Sequence, residues 1–277
     1  MKRLLVGIDG SPQSAAALRW AASVAEPMGA DVLALAAWTP GQAELPVSEA
    51  RDEHADLRDA LAAAREGLSG SVAIRDEIVD GAPVDVLLER SEGEDAGLVV
   101  VGLRGAGGFL GLRLGSVTDT LAHRVTRPLA VVPDGSHAGV GHIVLGVDGS
   151  HGATAAASWC AVFASALGAE VTAVAVYPHE YGIVTEQDPK SMFQYFKRAL
   201  DEEWVTPLRA AGVTVHPDLV HEPHVAEALV DTAQRVGADA IVVGTHGFAP
   251  LIHRRLGGVA MRSLHTTPLP LVLVPPE

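Results

Sequence analysis

The chain repeats itself, and this limits its possible folds more than any other feature. Residues 4–11 read LLVGIDGS and residues 143–150 read IVLGVDGS, an offset of 139 that also carries Trp20 onto Trp159. LVVVGLRG at 98–105 matches AIVVGTHG at 240–247, at an offset of 142. RPLAVVP at 127–133 matches TPLPLVLVP at 267–275. A period near 140 residues is too long for a solenoid unit and is the size of a domain. The 277 residues therefore read as a duplicated domain, 1–135 and 141–277, joined near the linker-like DGSHAGVG at 134–141.

Within each half the hydrophobic pattern alternates between short apolar runs and helical stripes. Residues 4–8 form a buried-strand pattern ending in a turn, and Ser11-Pro12 is an N-cap followed by proline at the first helical position. The next helix carries Ala17, Ala21, Val24 and Met28 on one face and stops at Gly29. A second apolar run covers 31–38. Residues 48–68 give an amphipathic helix with Ala50, His54, Leu57, Leu61, Ala64 and Leu68 in its stripe and Arg51, Arg58 and Arg65 on another face. Further strands are predicted at 71–79, 98–101 and 129–132, with helices at 83–92 and 116–125. The order β-α-β-α-β-α-β-α-β, twice, predicts an α/β fold with two five-stranded parallel sheets covered by helices on both faces. Right-handed crossovers favour strand order 3-2-1-4-5, with a switch point between strands 1 and 4. Pro207 should kink or end the second half's second helix near Thr206.

Composition removes several function classes. Hydrophobic residues make up 48% and aromatics 4%, so the cores are aliphatic and the chain is not disordered. Acids outnumber bases by 34 to 20, a net charge of −14 that argues against a general nucleic-acid or anionic-membrane binder. The single cysteine, Cys160, excludes an intrachain disulfide and a cysteine-built zinc site, which fits a reducing cytoplasm, and it reads as a small core residue. The first apolar run stops at Asp9, too short for a secretory signal, and no run approaches the roughly 18 residues that span a bilayer.

In an open α/β sheet a ligand lies beyond the carboxyl ends of the strands, at the switch point. Two segments of each half converge there. One is the turn after strand 1, Asp9-Gly10-Ser11 and Asp148-Gly149-Ser150. The other is the loop after strand 4, GLRGAGGFLGLRLGSV at 102–117, which holds six glycines and no acid. Glycines let backbone N–H groups converge on a phosphate chain, and the helix starting at Ser116 adds its positive end. Ser116 and Val117 open that helix, and Arg104 and Arg113 bring charge. Tight packing is the alternative reading of the glycines, and a helix N-cap is the alternative for Asp9. There is no GxxxxGK[ST], no GxGxxG after strand 1 and no GxSxG, so a P-loop ATPase, a dinucleotide-binding unit and an α/β-hydrolase are set aside. His216, His221 and His224 cluster around Pro217 and Pro223 and read mainly as a solvated loop, with metal ligation the less favoured alternative.

Gly102, Gly105, Gly115 and Ser116 match the pattern G-x2-G-x9-G-[ST], and with the strand-1 turns Asp9–Ser11 and Asp148–Ser150 the chain resembles the universal stress protein family in its tandem form. The resemblance covers essentially the whole chain. It implies two Rossmann-like domains that bind ATP, with or without Mg. Asp9 would then lie near the ribose or a phosphate-bound metal, Ala36 and Ala37 near the adenine, and the phosphates on the glycine loop. In the second half Gly244, Gly247 and Gly257 match, but Gly258 replaces the Ser or Thr, and FAPLIHRRL at 248–256 gains Pro250. His246, His253, Arg254 and Arg255 could offset the lost hydroxyl.

The expectation is thus a cytoplasmic, ATP-binding stress-response regulator acting as a nucleotide-dependent conformational switch, without catalytic residues. The rival readings are a slow ATPase or phosphotransferase and a nucleotide-free dimerising scaffold. Strand 5 of each half is short, apolar and uncharged, which favours edge pairing between the halves and a homodimer with an unknown protein partner.

Overall fold

The computed structural model describes residues 1–39, 55–68, 70–106, 114–177, 189–248 and 256–276. The chain divides into two compact units, Met1–Gly139 and Val140–Glu277. The first runs β1 (Arg3–Ile8), α1 (Pro12–Met28), β2 (Asp31–Trp38), α2 (Ala55–Ala64), β3 (Ile74–Asp80), α3 (Pro83–Gly93), β4 (Leu98–Gly102), α4 (Ser116–Arg124) and β5 (Leu129–Val132). The second runs β6 (His142–Gly146), α5 (His151–Leu167), β7 (Glu170–Val176), α6 (Pro189–Ala199), a π-helical turn Leu200–Trp204, α7 (Thr206–Ala210), β8 (Val215–Val220), α8 (Val225–Val236), β9 (Ala240–Gly244), α9 (Gly258–Thr266) and β10 (Leu271–Val274).

In the first unit the strands lie in the order β3-β2-β1-β4-β5 and in the second β8-β7-β6-β9-β10, so each unit has the expected order 3-2-1-4-5. Every pairing within a unit is parallel. α1 packs with α2, and α3 with α4; α5 packs with α7, and α8 with α9. Right-handed crossovers put the two pairs of each unit on opposite faces of its sheet, because the chain reverses direction across the sheet after β3 and β8.

Local signals explain most boundaries. Ser11 caps α1 by accepting the Ser14 N–H at 3.1 Å, and Ser150 caps α5 by accepting the Ala153 N–H at 3.2 Å. Such a cap is worth about 1 kcal/mol. Of the stripe expected over 48–68, Ala50 and His54 lie outside the described residues, as does Arg51. Leu61 and Ala64 are buried and Arg58 and Arg65 exposed, so α2 presents the predicted face. β3 starts at Ile74 rather than 71, because Gly70 and Ser71 lie in a turn. Pro207 falls in the first turn of α7, where its missing N–H costs nothing; the helix before it ends in the π-helical turn and breaks at Val205.

The cores are aliphatic. Leu4, Leu5, Leu33, Leu35, Leu98 and Leu129 are fully buried in the first unit, as is Trp20. In the second, Trp159 stacks on buried Phe163 with ring centroids 4.7 Å apart. Cys160 is wholly buried, and burial pushes its thiol up to about 12.

At the amino ends of the strands the first unit carries a charge cluster. Arg3 Nε donates to Asp31 Oδ1 at 2.9 Å, Arg3 also pairs with Glu94, and Arg75 donates to Glu94 at 2.9 Å. The duplicate positions hold His142, Glu170 and His216, with His216 Nε2 3.1 Å from Glu170 Oε2. The Arg3 bond and charge hold Asp31 below the usual carboxylate range, and the Arg75 bond does the same for Glu94. Carboxylates depressed in the folded state contribute stability that is present above their unfolded pKa, about 4, and lost as pH falls through the lower folded values. Arg3→Met removes part of this contribution. Urea unfolding at pH 5 and pH 3 is expected to show a smaller acid loss of stability in Arg3→Met than in the parent chain.

Candidate functional site

β1 and β4 lie side by side, with Leu4, Leu5 and Val6 in register with Leu98, Val99 and Val100. Their carboxyl ends therefore open onto a cavity of about 510 Å³ at the switch point of the first unit. Its apolar side is formed by Leu35 and Ala37 of β2 and by Pro83 and Leu87 of α3. Its polar side is formed by Asp9, Arg104, Gly105, Ala106, Gly115, Ser116 and Val117. Of the predicted residues, Asp9, Ala37, Gly102, Gly105, Gly115, Ser116 and Val117 meet here. Ala36 is buried in the sheet. Gly10 and Ser11 do not line the cavity: Gly10 turns the chain with φ +81°, and Ser11 spends its hydroxyl on the α1 cap.

The two loops are tied together. Asp9 Oδ1 accepts the Ser11 N–H at 3.0 Å, and Oδ2 accepts the Ala106 N–H at 2.9 Å. Ser11, not Asp9, is the N-cap. Gln13, in the first turn of α1, accepts the Arg104 N–H through Oε1 at 2.6 Å. Two motif glycines answer to this packing. A Cβ on Gly105 would stand 2.2 Å from Asp9 Oδ2, and one on Gly102 would stand 2.9 Å from the Gln13 carbonyl carbon. Below the loop, the buried Thr118 hydroxyl donates to the Gly102 carbonyl at 2.9 Å.

The donors left over lie at α4. Its N-cap is Gly115, which has no side chain to cap it. Among the described residues the N–H groups of its first turn have no acceptor, and the positive end of the helix dipole stands behind them. The α1 end differs, because Ser11 closes it. The exposed Ser116 hydroxyl has no acceptor, and Arg104 no ion-pair partner, among the described residues. Arg113 lies outside the described residues. The arrangement offers an apolar slot on one side and an anion seat on the other, which suits a base joined to a phosphate chain.

In the second unit Asp148 accepts the Ser150 N–H at 2.8 Å and no other bond among the described residues. Gly149, with φ +82°, lies beneath Trp204, whose Nε1 would be 2.7 Å from an added Cβ; at Gly10 the neighbour is Ala60. Gly244 packs against the Gly152 backbone, Gly247 is exposed, and Gly257 caps α9 without a side-chain bond. Gly258 begins α9, and no described residue lies within 4 Å of where its Cβ would be. His246 bonds Thr245 Oγ1 through Nδ1 at 2.9 Å, and its buried Nε2 has no partner among the described residues. Pro250, His253, Arg254 and Arg255 lie outside the described residues. His216 and His221 stand at opposite ends of β8, so the histidine cluster does not converge; His221 instead faces the Tyr177 ring at 5.3 Å. No group of three metal-ligating side chains occurs among the described residues.

Sequence reasoning missed Gln13, Thr118, Leu35, Pro83 and Leu87. Gln13 had a signal, because the duplicate position is Gly152 and the repeats differ there in chemistry. The others are ordinary core or helix residues until the fold brings them together.

The universal stress protein family model matches residues 1–133 and again 139–275, and the chain belongs to that family. It is similar to a universal stress protein of Mycolicibacterium smegmatis, 28% identical over 99% of this chain and 97% of that one. Among solved structures, a universal stress protein from Archaeoglobus fulgidus superposes with a TM-score of 0.67 at 16% identity, covering 99% and 98% of the two chains. A structure of a universal stress protein in complex with cAMP matches 47% of this chain and 96% of its own, at 30% identity and a TM-score of 0.37. No helix among the described residues is long and apolar enough to cross a membrane.

Proposed function

We propose that the first unit binds ATP and that the chain works as a nucleotide-dependent regulatory switch. The observation that carries this reading is the cavity that joins an apolar slot at Ala37, Pro83 and Leu87 to the uncapped amino end of α4. The adenine occupies the slot. The phosphates take the first-turn N–H groups of α4, the Ser116 hydroxyl and the Arg104 guanidinium. Magnesium, when present, is carried by the phosphates, because Asp9 is the only carboxylate lining the cavity among the described residues and both its oxygens are engaged. A ligand that binds only the ordered form stabilises it by about 2.7 kcal/mol at a hundredfold excess over its Kd. That linkage is what a cytoplasmic homodimer or another protein partner would read.

The same engagement of Asp9 disfavours an enzyme. A general base must be aimed at the attacking water, and each oxygen of this carboxylate is already turned to a backbone N–H. The expected phosphate release from ATP is well below one turnover per minute in a sensitive release assay. Several turnovers per second, abolished by a single substitution in the cavity, would favour the hydrolase reading instead.

Calorimetric titration with ATP tests the site directly. At Gly115 the backbone has N-cap geometry, so Gly115→Asp places a carboxylate over the α4 N–H groups that the phosphates need. Loss of bonds to a charged group, worth about 1.5–3 kcal/mol each, weakens ATP by roughly tenfold to a hundredfold. Unchanged affinity in this variant would remove the phosphate assignment.

The second unit is expected to bind ATP more weakly, because Gly258 supplies no hydroxyl. No described residue lies within 4 Å of a Cβ at Gly258, so Gly258→Ser can be built against them without a clash. In a Gly115→Asp background, Gly258→Ser is expected to raise residual ATP affinity about tenfold. No gain would mean that the hydroxyl is not what separates the two units.

A further inference from the structure

We infer that Gln13 and Asp9 are positioning residues that hold the first residues of the loop after β4, 103–106, in their binding shape before any ligand arrives. The loop N–H groups at Arg104 and Ala106 are already bonded, at 2.6 Å to Gln13 Oε1 and at 2.9 Å to Asp9 Oδ2. These two amides are therefore not phosphate donors. Their acceptors come from the turn after β1 and from the first turn of α1, which Ser11 caps and Pro12 starts. Both acceptors thus sit on rigid backbone, 91 and 97 residues away in sequence from the amides they hold. Gly105 lies between the held amides, and its missing Cβ lets the Asp9 carboxylate come up against the loop.

The duplicate half shows the loop with Gln13 replaced and the acid kept. Gly152 stands where Gln13 stands, and the His246 carbonyl oxygen drops to 1.9 Å from where its Cβ would be. The loop after β9 presses onto α5 instead of being held off it by a side chain. Among the described residues, the N–H groups of His246 and Phe248 have no acceptor, and Asp148 reaches only Ser150. The same backbone motif is therefore held by two side-chain acceptors in one unit and by neither in the other. The link to ligand affinity rests on the proposed nucleotide site; the ties themselves do not.

Amide hydrogen exchange on the full, nucleotide-free chain reads the ties separately from whether ATP binds. In the parent chain, Arg104 and Ala106 are expected to exchange more slowly than His246 and Phe248. Gln13→Ala should speed exchange at Arg104 about tenfold, and Gln13→Glu, which keeps an oxygen acceptor at the same reach, should restore it. Asp9→Asn can accept at only one oxygen, since its amide nitrogen turns a donor toward the other N–H. Exchange at Ser11 or Ala106 should therefore rise. Unchanged rates at Arg104 in Gln13→Ala, equal rates in the alanine and glutamate variants, or unchanged rates at both Ser11 and Ala106 in Asp9→Asn would each overturn the inference.

Discussion

The parallel pairing of β1 with β4 governs the rest of the first unit. These strands are distant in sequence and adjacent in the sheet, and the chains leaving them enter helices on opposite faces. The gap between the diverging helices is the cavity. It exists because parallel strands all point their carboxyl ends the same way and because the order of the strands reverses at this place. The pairing itself needs no polar group. It rests on runs such as Leu4–Val6 and Leu98–Val100, buried on both sides and free of charge. Aliphatic strands set the geometry, and the polar groups that follow them inherit it.

Much of this was legible in the sequence, for definite reasons. A buried parallel strand must be an apolar run, a surface helix must carry a stripe, and a duplicated chain states each pattern twice. Ser11-Pro12 marked the start of α1 because an N-cap and a proline are both suited to positions that lack intrahelical partners. The positions of Gly102, Gly105, Gly115 and Ser116 were legible as a motif. Their physical duties were not. Gly102 and Gly105 make room for Gln13 and Asp9, whereas Gly115 lets the Arg104 backbone come to 3.3 Å from where a Cβ would be and brings no cap of its own to α4; one letter in the sequence stands for different demands. Gln13 carried one hint, its mismatch with Gly152 in the repeat, and nothing that named its partner. Only the fold shows that its amide oxygen meets a backbone N–H 91 residues away.

Duplication left two frames of the same topology with different chemistry at matched places. Arginines and acids at the strand starts of the first unit correspond to histidines and Glu170 in the second. Ala60 beside Gly10 corresponds to Trp204 beside Gly149, the end of a π-helical turn that packs edge-on against Phe196 with ring centroids 5.7 Å apart. The parallel core tolerates such differences because its stability comes from aliphatic burial, which neither substitution disturbs.

Cys160 carries a consequence of its own. It is the chain's one sulfhydryl, sealed in the second unit, with its ionisation driven up to about 12. At neutral pH such a group stays almost wholly a thiol, not the thiolate that attacks peroxides and electrophiles. The intact molecule is therefore deaf to oxidants at this position. When the second unit opens, the group becomes an ordinary reactive thiol. Covalent labelling of this one atom consequently works as a clock for the opening of that unit alone, running inside the full-length chain and needing no added probe site.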